Sequence, residues 1–140
     1  MKLFVRQIFI FVASAMSVTA MATDFDGSEP LICSFGQVIE CDAQTACRAV
    51  TNDMVGAPEF VKIDFKKKRL VSTTAGEDSP ADEITVNDVI THIIVQGSQG
   101  SGQGNALGYS LSIDQATGQM VAAGAGENAG FVIFGACTSN

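Results

Sequence analysis

The sequence predicts an all-β protein: a small antiparallel meander of about 6–8 strands, closed or nearly closed into a barrel and stapled by disulfides. Three observations carry this expectation. Apolar and polar residues alternate in short runs such as Phe60-Val61-Lys62-Ile63-Asp64-Phe65, which is the period of a half-buried strand. Short turns rich in Gly, Asp and Asn separate these runs. Cysteines stand towards both ends, Cys33, Cys41 and Cys47 early and Cys137 late. Composition agrees. Trp is absent, Tyr109 is the only tyrosine, Leu is sparse, and Val, Ile and Thr are common, residues that suit a pleated surface.

The chain starts with a positively charged segment, Met1 to Arg6, followed by an apolar run from Ile8 to Ala15. Ala20-Met21-Ala22 fits a small-residue cleavage site, and Val18-Thr19-Ala20 is a second one. Residues 1–22 are therefore expected to be a signal peptide and residues 23–140 a single β domain. The seventeen uncharged residues between Arg6 and Asp24 are interrupted by Ser, Thr and Gln, whereas a membrane span needs about 20 predominantly apolar residues. No stable membrane insertion is expected after cleavage, and the predicted location is periplasmic or secreted.

Cleavage would remove Lys2 and Arg6, leaving six of the eight Lys and Arg with all fifteen Asp and Glu, a net charge of −9. So acidic a domain lacks the basic footprint that phosphate backbones require, so nucleic acid is not an expected partner. Four cations cluster at Lys66-Lys67-Lys68-Arg69. They read as a solvated hairpin turn that protects an edge from aggregation, or as an anion-binding tip.

In order along the chain, Phe60 to Phe65 is the first clear strand, and Arg69 to Thr73 returns beyond the basic turn. Ala75 to Pro80 is a polar loop. Ile84 to Val86 and Thr91 to Gln96 read as strands separated by a turn at Asn87-Asp88. Gly97 to Asn105 is a Gly-rich loop. Leu107, Tyr109, Leu111 and Ile113 share one strand face. Asp114 to Gly118 turns the chain, Met120 to Ala123 returns, Gly124 to Asn128 turns again, and Gly130 to Gly135 is the last strand.

Four cysteines allow three connectivities, and spacing alone does not choose among them. A Cys33–Cys137 bridge would make the two ends of the meander neighbours, as barrel closure requires, and closure removes exposed sheet edges. Cys41 and Cys47 would then close a local loop. By chain entropy the long bridge is worth about 4.8 kcal/mol and the short one about 2.4 kcal/mol.

Phe25-Asp26-Gly27-Ser28-Glu29-Pro30-Leu31-Ile32-Cys33, Glu40-Cys41, Cys47, Phe60 to Phe65, and Phe131-Val132-Ile133-Phe134-Gly135-Ala136-Cys137 resemble a group of uncharacterised short exported proteobacterial proteins. The resemblance covers most of the predicted mature chain and implies an envelope location, with no implied activity. That group often carries Gly-Trp-Ser after its Gly-rich loop, where this chain has Gly108-Tyr109-Ser110. The added hydroxyl is easiest to accommodate where the position is partly wet.

Signals for catalysis and metal binding are weak. His92 is the only histidine, so any histidine-dependent triad must use it. An enzyme reading would pair it with Ser110, Ser112 or Asp88, but nothing in the sequence sets a nucleophile beside it, and no catalytic residue is assigned. An even set of cysteines in an oxidising compartment is expected to be paired. One histidine and the Cys41/Cys47 spacing make no zinc site. Asp24-x-Asp26-Gly27 resembles the start of a calcium loop but lacks its later ligands, and the acidic stretch Glu77, Asp78, Asp82, Glu83, Asp88 fits no coordination set. Gly124 to Ala129 matches a dinucleotide pattern only on paper, because a strand follows it. Gly100-x-Gly102-x-Gly104 has no Lys-Ser/Thr after it. No metal and no cofactor is expected.

The function expected is therefore a non-catalytic, monomeric envelope binding module for a small apolar ligand or an envelope protein, with His92, Tyr109 and Phe131 as the ligand-facing candidates. How Phe60, Phe65, Tyr109, Met120 and Phe131 pack decides whether a lumen remains. An alternative is a structural or inhibitory protein acting through the Gly97–Gly104 loop.

Overall fold

The computed structural model describes residues 25–73, 81–100 and 106–139. The predicted signal peptide, the loop Ala75 to Pro80 and the Gly-rich stretch from Ser101 to Asn105 lie outside the described residues. Among the described residues nine strands form: β1 (Leu31–Asp42), β2 (Arg48–Val50), β3 (Phe60–Asp64), β4 (Arg69–Ser72), β5 (Asp82–Val89), β6 (His92–Gln99), β7 (Leu107–Asp114), β8 (Gln119–Ala125) and β9 (Ala129–Ser139). A 3-10 turn, Asn52–Val55, links β2 to β3.

From β3 to β9 each strand pairs antiparallel with the next, and β9 returns to pair with β1 along nearly its whole length. Eight strands thus close into a barrel and β2 is an extra one. The other edge of β1 is shared, its first half by β3 (Leu31 to Ser34) and its second by β2 (Val38 to Glu40). A bulge at Gly36, between Phe35 and Gln37, separates the two halves. It bends β1 so that one long strand serves both neighbours.

The core follows from period-two alternation. Val86, Val95, Leu111, Ala122, Ile133 and Val38 stand opposite one another in sequence around the wall, and all but Val86 are buried. Below them Ile63, Ile93, Ile113 and Met120 are almost wholly removed from water, each such side chain contributing about 1.5–3 kcal/mol of transfer free energy. Phe25 closes the lower end of the barrel. Its ring lies against Gly118, where a Cβ would come within 2.6 Å of it, and its N–H donates to the Gln115 carbonyl at 3.2 Å.

Two disulfides are present, Cys33–Cys137 and Cys41–Cys47. The first joins directly opposed residues of β1 and β9, the strands whose pairing closes the barrel. The second bridges the β1–β2 hairpin.

The structure moves two expected turns and shortens the expected Gly-rich loop, since Gly97 to Gln99 belong to β6 and pair with Tyr109, Gly108 and Leu107. Asn87 and Asp88 are not a turn; they pair with Ile94 and Ile93, and the chain reverses at Ile90-Thr91. Keeping Ile84 and Val86 on the inner face requires β5 to run on, and the reversal then leaves Ile90 at a positive φ of 45°. Gly124 likewise continues β8, because its place opposite Phe131 is needed in the wall. The basic cluster forms the β3–β4 turn at Lys66 to Lys68, where Lys67 N–H donates to the Asp64 carboxylate at 2.9 Å.

Candidate functional site

The upper end of the barrel holds a cavity of about 430 Å³, within the range of small-molecule sites. Its depth is apolar, formed by Val61, Leu70, Leu111, Ala122 and Ile133 from five strands. The segment from Asp53 to Pro58 forms one side of the rim, with Phe35 beside it. Asn52 anchors that segment by donating to the Phe35 carbonyl at 3.0 Å, while Gly56, at φ 65°, ends the 3-10 turn.

The space exists because of a pattern of rings and glycines. Gly97, Tyr109, Gly124 and Phe131 are successive opposed residues on β6, β7, β8 and β9. The Tyr109 ring lies over Gly97 and the Phe131 ring over Gly124, each where a Cβ would collide with it. Aromatic residues covering cross-strand glycines shield the bare backbone. Here they also lay both rings along the wall.

Leaning across Gly97, the Tyr109 hydroxyl donates to Asp82 Oδ2 at 3.0 Å. Burial first, and then the adjacent Asp82 charge, push the Tyr109 phenol far above its usual value. Asp82, Gln99 and Ser72 are the other polar residues on this side of the cavity. Among the described residues no Lys, Arg or His is in its lining.

Of the three ligand-facing candidates, the structure brings Tyr109 and Phe131 together at the cavity. His92 is elsewhere, and its expected inward position is corrected. Ile93 and Val95 point inward, so His92 and Ile94 face out, and His92 lies at the lower end, opposite Asp114. The histidine Nδ1 hydrogen-bonds with the Thr91 hydroxyl at 2.8 Å, and Nε2 is 3.8 Å from Asp114 Oδ2. Ser110 is opposite Gln96, four residues along β6, a separation of roughly 13 Å at the rise of a strand. Asp88 is opposite Ile93 on the other strand face and accepts from Gln115. Ser112 is opposite Ile94, two residues from His92 along the same outward face, but the partners that His92 holds among the described residues are Thr91 and Asp114, not a serine.

Phe60 is exposed, Met120 is core, and Phe65 packs against the core with its ring by Gly27. The Asp26 carboxylate accepts from Ser28 N–H within a turn at 2.8 Å. Among the described residues no three His, Cys, Asp or Glu side chains gather as a metal site requires. No helix there is long and apolar enough to cross a membrane.

The residue that sequence reasoning missed is Asp82, which it grouped with the acidic stretch. Its parity was a usable signal, since it shares the inward face of β5 with Ile84 and Val86, an unusual place for a carboxylate.

Comparison with known protein families, curated proteins and solved structures finds no match for this chain. Fold and site together define a class: a small, disulfide-linked, eight-stranded antiparallel barrel with an apolar cavity at one end.

Proposed function

We propose that this protein is a non-catalytic binding module of the cell envelope that holds one small, mainly apolar molecule in the upper end of its barrel. The observation that carries the reading is the cavity of about 430 Å³, deep in apolar side chains and walled by two flat-lying rings. A barrel of eight strands is just wide enough to be filled by side chains or to hold one small ligand. In this one Gly97 and Gly124 let the Tyr109 and Phe131 rings lie along the wall, and Ala122 is a small residue in the lining. A periplasmic or secreted location is supported by two disulfides, which persist in oxidising compartments, and by the leader-like start. Closure leaves little free strand edge, which favours a monomer.

Titration with a neutral, environment-sensitive naphthylamine dye tests the reading. Saturable one-to-one fluorescence enhancement is expected for the oxidised domain. Ala122→Leu should weaken it by about tenfold or more while the variant still melts cooperatively, because the added atoms take the ligand's space. Phe131→Ala, which enlarges the cavity instead, is the second variant and should alter affinity without abolishing it. No saturable binding to the wild-type domain, or equal binding by Ala122→Leu, would overturn the proposal.

A further inference from the structure

The cavity's polarity is one-sided. Its depth is hydrocarbon, its wall is aromatic at Tyr109 and Phe131, and among the described residues its charged groups are carboxylates, Asp82 on the wall and Asp53 at the rim. Five of the six cations among the described residues, Lys62 and Lys66 to Arg69, belong to the β3–β4 hairpin, and none of them lines the cavity. Tyr109 donates to Oδ2 of Asp82, and Asp82 is itself one of the residues that line the cavity.

We propose that the occupant is a cationic amphiphile, an apolar chain or ring system bearing an ammonium group, with the chain in the barrel and the ammonium seated between the Asp82 carboxylate and the Tyr109 and Phe131 rings. This rests on the cavity being a ligand site. Three physical terms favour such an occupant over a neutral or anionic one. An ammonium donates charge-assisted hydrogen bonds to a carboxylate, roughly twice as strong as neutral ones. The faces of Tyr and Phe attract a cation. A carboxylate-headed ligand would meet Asp82 as a like charge, with no Lys, Arg or His among the described lining residues to offset it. The Tyr109 hydroxyl holds the Asp82 side chain in place, which lowers the ordering cost when the ligand enters.

Displacement of the neutral dye by decylamine, decanol and decanoate at pH 7 tests this, since the chains match and only the head group differs. Decylamine is expected to displace the dye at a concentration about tenfold or more below decanol, with decanoate weaker than decanol. Added salt should narrow the gap. In Asp82→Asn, whose amide oxygen can still accept from Tyr109, decylamine and decanol should compete about equally. Asp53→Asn, at the rim, should reduce the preference less. If decanoate matches or exceeds decylamine, or if Asp82→Asn retains the full amine preference, the head-group assignment falls while dye binding keeps the cavity reading intact. If the dye itself does not bind, both fall.

Discussion

Tyr109 ties the wall of the barrel to its charge. Its ring lies over Gly97, and its hydroxyl reaches Asp82 on the strand beyond. The half-buried position agrees with the expectation of a partly wet site for the added hydroxyl, and one residue serves both the packing of the wall and the placing of Asp82. Because Tyr109 is the only tyrosine, its ionisation can be followed by ultraviolet absorbance without interference. Burial and the Asp82 charge hold the proton on the folded phenol above its ordinary value of 10.0. The folded chain then binds that proton more tightly than the unfolded one. The stabilisation is complete below pH about 10 and is lost as pH rises beyond it. The native protein should show no phenolate transition at pH 10, and the urea-unfolded protein should titrate there. Asp82→Asn should bring the native transition down. A native transition at pH 10 in the wild type would contradict the Tyr109–Asp82 pairing.

At the scale of elements, the turns carry the clearest local chemistry. Asp114 accepts from the Ala116 and Thr117 N–H groups and from the Thr117 hydroxyl, and the Thr117 bonds chiefly hold its carboxyl below the usual range. Asp42 plays the same part in the Cys41–Cys47 loop through Thr45 and Gln44. Such Asx turns are written in the sequence. The β5–β6 turn is different, because Ile90 is 93% exposed and holds a positive φ of 45°, a conformation that disfavours a β-branched residue. Ile90→Gly, with Ile90→Asn as a second variant, should raise stability by about 1 kcal/mol, read as a higher urea midpoint at unchanged slope. A lower midpoint for both would show that Ile90 contributes contacts its exposure does not suggest. This turn was misplaced from the sequence because Asn87-Asp88 has the stronger local turn propensity. Pairing of the inner residues Ile84 and Val86 across to β6 outweighs it.

For the whole molecule, the β1–β9 seam decides closure, and Cys33–Cys137 fastens it. Replacing both cysteines by Ala should cost about 2–5 kcal/mol of stability. Replacing Cys41 and Cys47 should cost about 2 kcal/mol or less, since that loop is short. Chemical unfolding of the two double variants checks this, and an equal or reversed order would refute the long bridge as the principal covalent constraint. The seam between β4 and β5 is the contrast, with two register pairs among the described residues, Arg69–Glu83 and Leu70–Asp82. It borders the cavity through Leu70, Ser72 and Asp82.

The all-β class, the alternating faces of β3 and β7, and the pairing of the basic turn with a hairpin were legible in the sequence, because period-two burial and turn chemistry are local, whereas the Cys33–Cys137 bridge was one of three connectivities and was preferred only because it closes the sheet. Also legible was the aromatic character of Tyr109 and Phe131, though not what they would share. Tertiary structure decided the rest. Register around a closed wall set the rings over Gly97 and Gly124, turned Asp82 towards Tyr109, and sent His92 outward to Asp114. It also created β2 and the Gly36 bulge, which follow from sharing one edge of β1 between two neighbours. A slip of one residue in any seam would exchange inside for outside. That long-range register, and with it the cavity and its charge, belongs to the closed barrel rather than to any stretch of the chain.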